Sequence, residues 1–202
     1  HGFERTMVDF YYEPEKIERV LDMVLDFKLR QVDEIHRRFG DRVDGVFLTD
    51  DWGTQTGTFI SPQLFDHFFL ERYRTLVSRY HEYGYHFILH SCGRINDFVD
   101  RFIDAGVDVM NMQQPRAYGI EELGQRYAGR IAFLGTADIQ ATLPSNDPVA
   151  VREEAHAIVD NWGTPDGGFI VFNYGDPRGI NVSEEMCAVM FEAFMEKMWL
   201  RR

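Results

Sequence analysis

Short apolar runs alternate with longer amphipathic stretches along this chain, and no other feature narrows its fold as far. "VDGVFLTDD" (43–51), "YHFILHSCG" (85–93), "VDVMNMQ" (107–113), "RIAFLGTAD" (130–138) and "GGFIVFNYG" (167–175) read as five strands rich in Val, Ile, Leu and Phe. Strands of that composition are covered on both faces. Helical stretches follow each of them, at 61–84, 95–106, 119–129, 147–163 and 183–200, and one long helix, 13–40, precedes them all. In the first, Ser61 suits the N-cap, Pro62 the first helical position and Gly84 the stop. Alternation of this kind predicts an α/β fold with a parallel sheet and right-handed crossovers.

Two architectures satisfy that pattern, an open doubly wound sheet and a (β/α) barrel. Polar clusters follow every strand: Asp50–Asp51, His90–Cys92, Asn111–Gln114, Thr136–Asp138 and Asn173–Asp176. A barrel gathers all its strand ends around one mouth, whereas an open sheet concentrates its chemistry at a single switch point. The even spread favours a TIM-barrel type, (β/α)8. A closed barrel needs eight strands and about 250 residues. The expectation is therefore an incomplete barrel of about five C-terminal β/α units, forming one domain over 1–202. Such a sheet exposes two edges, so self-association or a preceding N-terminal segment is expected to cover them.

His90 and Cys92 are the pair most pointed toward chemistry. Residues two apart on a strand share a face, so imidazole and thiol project together at the mouth. Zinc takes such N and S donors, and a catalytic site uses three protein ligands with one position open. Asp176, in "NYGDPRG", is the candidate third ligand. The bland alternative is a satisfied buried histidine beside a small apolar filler. Asp50 and Asp51, in "LTDDWGTQTG", lie on opposite sides of a strand end, so only one should face the site. That one could act as acid/base, as a partner to a metal ligand, or simply as a loop cap. Gln55, Asn111, Gln113, Asp138 and Asn173 are candidate substrate contacts on the same rim. Cys187, within the Met-rich last helix, reads as buried filler.

The formal net charge is −12, which repels nucleic acid and anionic membranes. No window approaches the ~20 apolar residues of a membrane span. Two cysteines make no disulfide framework, and a cytoplasmic location is expected.

Four blocks, "DGVFLTDDWGTQTGTFISPQLF", "GYHFILHSCGRINDFVDRFIDAGVDVMNMQQP", "IAFLGTADIQATLP" and "GGFIVFNYGDPRGI", resemble the uroporphyrinogen decarboxylase superfamily, in order and over nearly the whole chain. The resemblance implies a (β/α) barrel of which this chain is the C-terminal part. It also implies one of two activities. The decarboxylases act on a tetrapyrrole without a cofactor and carry a glycine-rich run where this chain has "HSCGR". The cobalamin-dependent methyltransferases carry His-x-Cys there, and a further cysteine after the last strand. Here Asp176 stands at that last position. His90 and Cys92 are thus similar to the methyltransferase branch, which implies zinc held by His90, Cys92 and Asp176. It further implies a methylcobalamin or other corrinoid methyl carrier on a separate corrinoid carrier protein, and a small-molecule methyl acceptor such as a thiol. A carboxy-lyase of the decarboxylase kind, or a shortened non-catalytic copy, are the alternatives.

Overall fold

The computed structural model describes residues 1–199. Five parallel strands form one sheet: β1 Gly45–Thr49, β2 His86–His90, β3 Val109–Met112, β4 Ala132–Gly135 and β5 Phe169–Val171. Their order in space is their order in sequence, β1-β2-β3-β4-β5. A doubly wound sheet would reverse direction at a switch point, and this one never does. Winding always to the same side is what closes a barrel, so the expected incomplete TIM-barrel type is the architecture found.

The pleat divides the strand residues into two sets. Val46 and Leu48, Phe87 and Leu89, Met110 and Met112, Phe133, and Phe169 belong to the apolar layer under the helices. Their neighbours line the other face: Phe47, Ile88, Val109, Leu134 and Ile170. Register links them directly, with Phe47 opposite Ile88, Ile88 opposite Val109 and Leu134 opposite Ile170. In the middle of that face Val109 and Leu134 are each 9% exposed, while at its two ends Phe47 is 43% and Ile170 46% exposed. The sheet is curved enough that the Phe47 ring lies 6.3 Å from that of Phe172, just past β5.

Helices cover the outer layer: α1 Phe3–Tyr12, α2 Pro14–Phe39, α3 Pro62–Phe65, α4 Glu71–Glu82, α5 Asn96–Asp104, α6 Pro115–Tyr118, α7 Ile120–Tyr127, α8 Pro148–Trp162 and α9 Glu184–Trp199. The helix expected at 183–200 is seen as α9, and Leu200 lies outside the described residues. Ser61 does cap, its side chain accepting the Leu64 N–H at 3.2 Å. The helix expected at 61–84 is interrupted, because Asp66–Leu70 is a π turn between α3 and α4. Phe65 lies just before this turn and Phe69 within it, and both rings meet Trp52, at 5.0 and 4.6 Å. Trp52 also donates from its indole nitrogen to the Tyr73 hydroxyl at 3.0 Å. The loop after β1 is thereby anchored to the helix layer, which fixes the two carboxylates just before Trp52. Among the described residues no helix is long and apolar enough to cross a membrane.

Candidate metal centre

The sheet register places three chemically different side chains at neighbouring strand ends. Thr49 pairs with His90, and His90 with Asn111. The ladder continues past the strands, since the Asp50 N–H donates to the His90 carbonyl at 2.9 Å. Two residues beyond Thr49 and His90 stand Asp51 and Cys92, on the same face as the imidazole. Donor atoms of Asp51, His90 and Cys92 all lie within 4.8 Å of one another. His90 Nε2 is 3.2 Å from Cys92 Sγ and 3.6 Å from Asp51 Oδ1. The Cys92 backbone N–H donates to that same Asp51 oxygen at 2.8 Å.

The two loops can meet this closely because both turn on glycine. A Cβ on Gly93 would lie 2.2 Å from the Gly53 carbonyl carbon, and Gly93 has φ +77°, a conformation other residues adopt at a cost. Backbone bonds from Gly53 N–H to Cys92 O (3.2 Å) and from Arg94 N–H to Thr54 O (2.7 Å) join the loops. Trp52 N–H adds a bond to Ser91 Oγ at 3.0 Å.

Behind the imidazole lies a relay that decides which ring nitrogen faces the cluster. Asn111 is fully buried. Its Nδ2 donates to the Leu134 carbonyl at 2.9 Å, which turns Oδ1 toward His90 Nδ1, 2.7 Å away. An amide oxygen only accepts, so Nδ1 carries a proton, and the tautomer with that single proton presents a bare Nε2 to Cys92 and Asp51. Gln113 Nε2 donates to the same Asn111 oxygen at 2.7 Å. A bare nitrogen, a sulfur and a carboxylate oxygen, with an outer partner holding the imidazole, form a donor set that suits zinc. Burial, and then the charge of Asp51, push the Cys92 thiol up to about 11.

The other expected residues have different surroundings. Asp176 does not join His90 and Cys92. It is exposed, and its Oδ1 accepts the Gly179 N–H of its own turn at 3.0 Å, so Asp51 takes the third place in the cluster. Asp50 faces the opposite side, as the alternation of a strand end requires. It accepts the Tyr73 hydroxyl at 2.5 Å, and burial raises its carboxyl above the ordinary range. Asn111 and Gln113, expected as substrate contacts, are buried behind His90 and hold its ring. Asp138 is buried, its oxygens accepting the backbone N–H groups of Gln140, Ala141 and Arg116 at 2.9–3.2 Å. Gln55 stays on the rim, donating to Gln114 Oε1 at 3.2 Å, and Asn173 is exposed. Tyr73 was not anticipated, because nothing in a helical stretch singles out one tyrosine.

These features define a class, a (β/α)-barrel fold bearing a mixed N, S and O donor cluster at the C-terminal ends of adjacent strands. The sequence profile of one family, uroporphyrinogen decarboxylase (URO-D), matches residues 1–196. The chain belongs to that family. Its fold is similar to that of a methyltransferase from Methanosarcina mazei, at 15% identity and a TM-score of 0.74. The likeness covers 94% of this chain and 52% of that one, so the chain spans about half the length of that structure. No curated protein matches the chain.

Proposed function

We propose that this chain carries the metal centre of a zinc-dependent methyltransferase of the URO-D family, passing a methyl group between a corrinoid and a thiol or related small acceptor. One observation carries the reading: the relay from Leu134 through Asn111 leaves His90 Nε2 bare beside a thiol and a carboxylate. A cofactor-free decarboxylase has no use for that trio. His90 through Nε2, Cys92 through Sγ and Asp51 through a carboxylate oxygen would hold the metal. Three protein ligands leave the fourth position of a zinc ion for a substrate. Bound zinc supplies Lewis acidity, holding a thiol as thiolate near neutral pH.

The chain's own groups then have definite tasks. Asn111 and Gln113 hold the imidazole in the ligating tautomer. Asp51 ties the two loops together through the Cys92 amide. Gln55 offers an amide at the rim to an incoming molecule. The corrinoid arrives on a carrier protein that docks at the open end of the barrel, and the reaction takes place in the cytoplasm, where free thiols such as Cys92 and Cys187 persist.

Elemental analysis of the purified protein tests the proposal. About one zinc per chain is expected, absent from His90→Ala and Cys92→Ser. A folded protein that binds no zinc would overturn it.

A further inference from the structure

A second feature adjoins the metal centre from the helix side. Between α1, α2 and the loop after β1 lies a cavity of about 280 Å³. Five aromatic residues line it: Phe3, Phe10, Trp52, Phe59 and Phe69. Its only charged liners are Asp50 and Asp51, and no Lys, Arg or His is among them. Asp50 Oδ2 takes the Tyr73 hydroxyl, which is a neutral donor. Lys28 and Arg72 line a smaller neighbouring cavity of about 90 Å³ that shares Asp50; the charge of Lys28 acts on Asp50 from that side, and Arg72 is already paired with Asp22.

Aromatic walls and carboxylates, with no lysine or arginine in the lining itself, have a specific complement. A neutral apolar guest would desolvate Asp50 and return nothing for it. An anion would be repelled. A hydrated metal ion would face apolar walls with too few oxygens. An alkylated ammonium group satisfies both halves of the cavity. Its positive charge is spread over apolar methyl surface, it sheds water at little cost, and ring faces attract it.

We infer that this cavity binds an alkylated ammonium group, the cationic end of a small molecule whose other end reaches Asp51 and the metal centre. As the substrate of a methyl transfer the ligand rests on the function proposed above, whereas its binding does not.

Titration calorimetry with choline on the intact protein tests the inference, against the uncharged isostere in which a tert-butyl group replaces trimethylammonium. Choline should bind at least about tenfold more tightly than the isostere. Phe59→Leu keeps an apolar wall but removes a ring face at a 39% exposed position, so folding is not at stake, and it should weaken choline several-fold. Asp50→Asn should erase most of the preference for charge. Equal affinity for the two compounds, or no binding of either, would overturn the inference. Zinc content measured on the same samples separates the two readings. Zinc without choline binding removes the ammonium site alone, and choline binding without zinc removes the metal centre alone.

Discussion

The loops that follow β1 and β5 each carry an aspartate beside a sharp turn, and they are put to opposite uses. Asp51 reaches across to the next strand's loop, accepting the Cys92 N–H at 2.8 Å and lying 3.6 Å from His90 Nε2. Asp176 reaches only three residues along its own chain, to Gly179. The first loop is joined to its neighbour by backbone bonds on both sides of a Gly53–Gly93 contact. The second borders no further described strand, and its turn satisfies itself. Residue type therefore did not decide which aspartate joins the cluster. The decision lay with the neighbouring loop, because a carboxylate is held near other donors only where two backbones hold each other.

The comparison breaks most forcefully at Gly93. Gly93→Ala should destabilise the protein by at least about 3 kcal/mol, since it adds a left-handed non-glycine residue and a backbone clash together. Thermal unfolding would read this, and an unchanged melting temperature would mean that the loops are not in close contact. A sharper, smaller effect separates the two aspartates. Asp51→Asn should lower zinc affinity by about a hundredfold or more in chelator competition, as expected for a lost ligand, while Asp176→Asn should leave it unchanged. The reverse result would restore Asp176 as the third ligand.

The smallest effect is on thiol reactivity in chelated, metal-free protein. With the Cys92 thiol pushed up to about 11, the reactive thiolate is scarce at about pH 8 and reaches its half-point only near pH 11. Burial is the larger cause and Asp51 the lesser, so Asp51→Asn should move the midpoint of alkylation down only part of the way. A Cys187→Ser background keeps the signal to one thiol. A midpoint unmoved by Asp51→Asn would place the carboxylate too far from the sulfur to matter.

The fold was legible because its signals are periodic. Each strand announced itself as a short apolar run; the parallel sheet followed from strand–helix alternation, and its barrel type from the even spread of polar clusters after the strands. The π turn at Asp66–Leu70 was hidden, since its sequence, DHFFL, suits an ordinary helix equally well. Helix α1 was not foreseen either, for ten residues before a proline carry little pattern. In the site, spacing alone brought out His90 and Cys92. Asp51 could have been chosen over Asp50 from alternation, given that β1 neighbours β2: 49 pairs with 90, so 51 falls near 92. That adjacency is a tertiary fact, and Asp176 looked as good without it. Asn111, Gln113 and Asp138 were visible as polar residues at strand ends, but their roles were not. Whether an amide faces a guest or a neighbouring side chain depends on burial, and all three are buried.

The Asn111 relay ties the proposed metal centre to the sheet itself. The imidazole belongs to β2, the amide that steadies it to β3, and the carbonyl that steadies the amide to β4. Filling the proposed centre would therefore fasten three strands at their open ends, and loosening those strands would free the ring to turn. Under the proposed zinc reading, metal occupancy and folding would be one coupled equilibrium, in which each added increment of free zinc would raise the temperature the barrel wall can withstand.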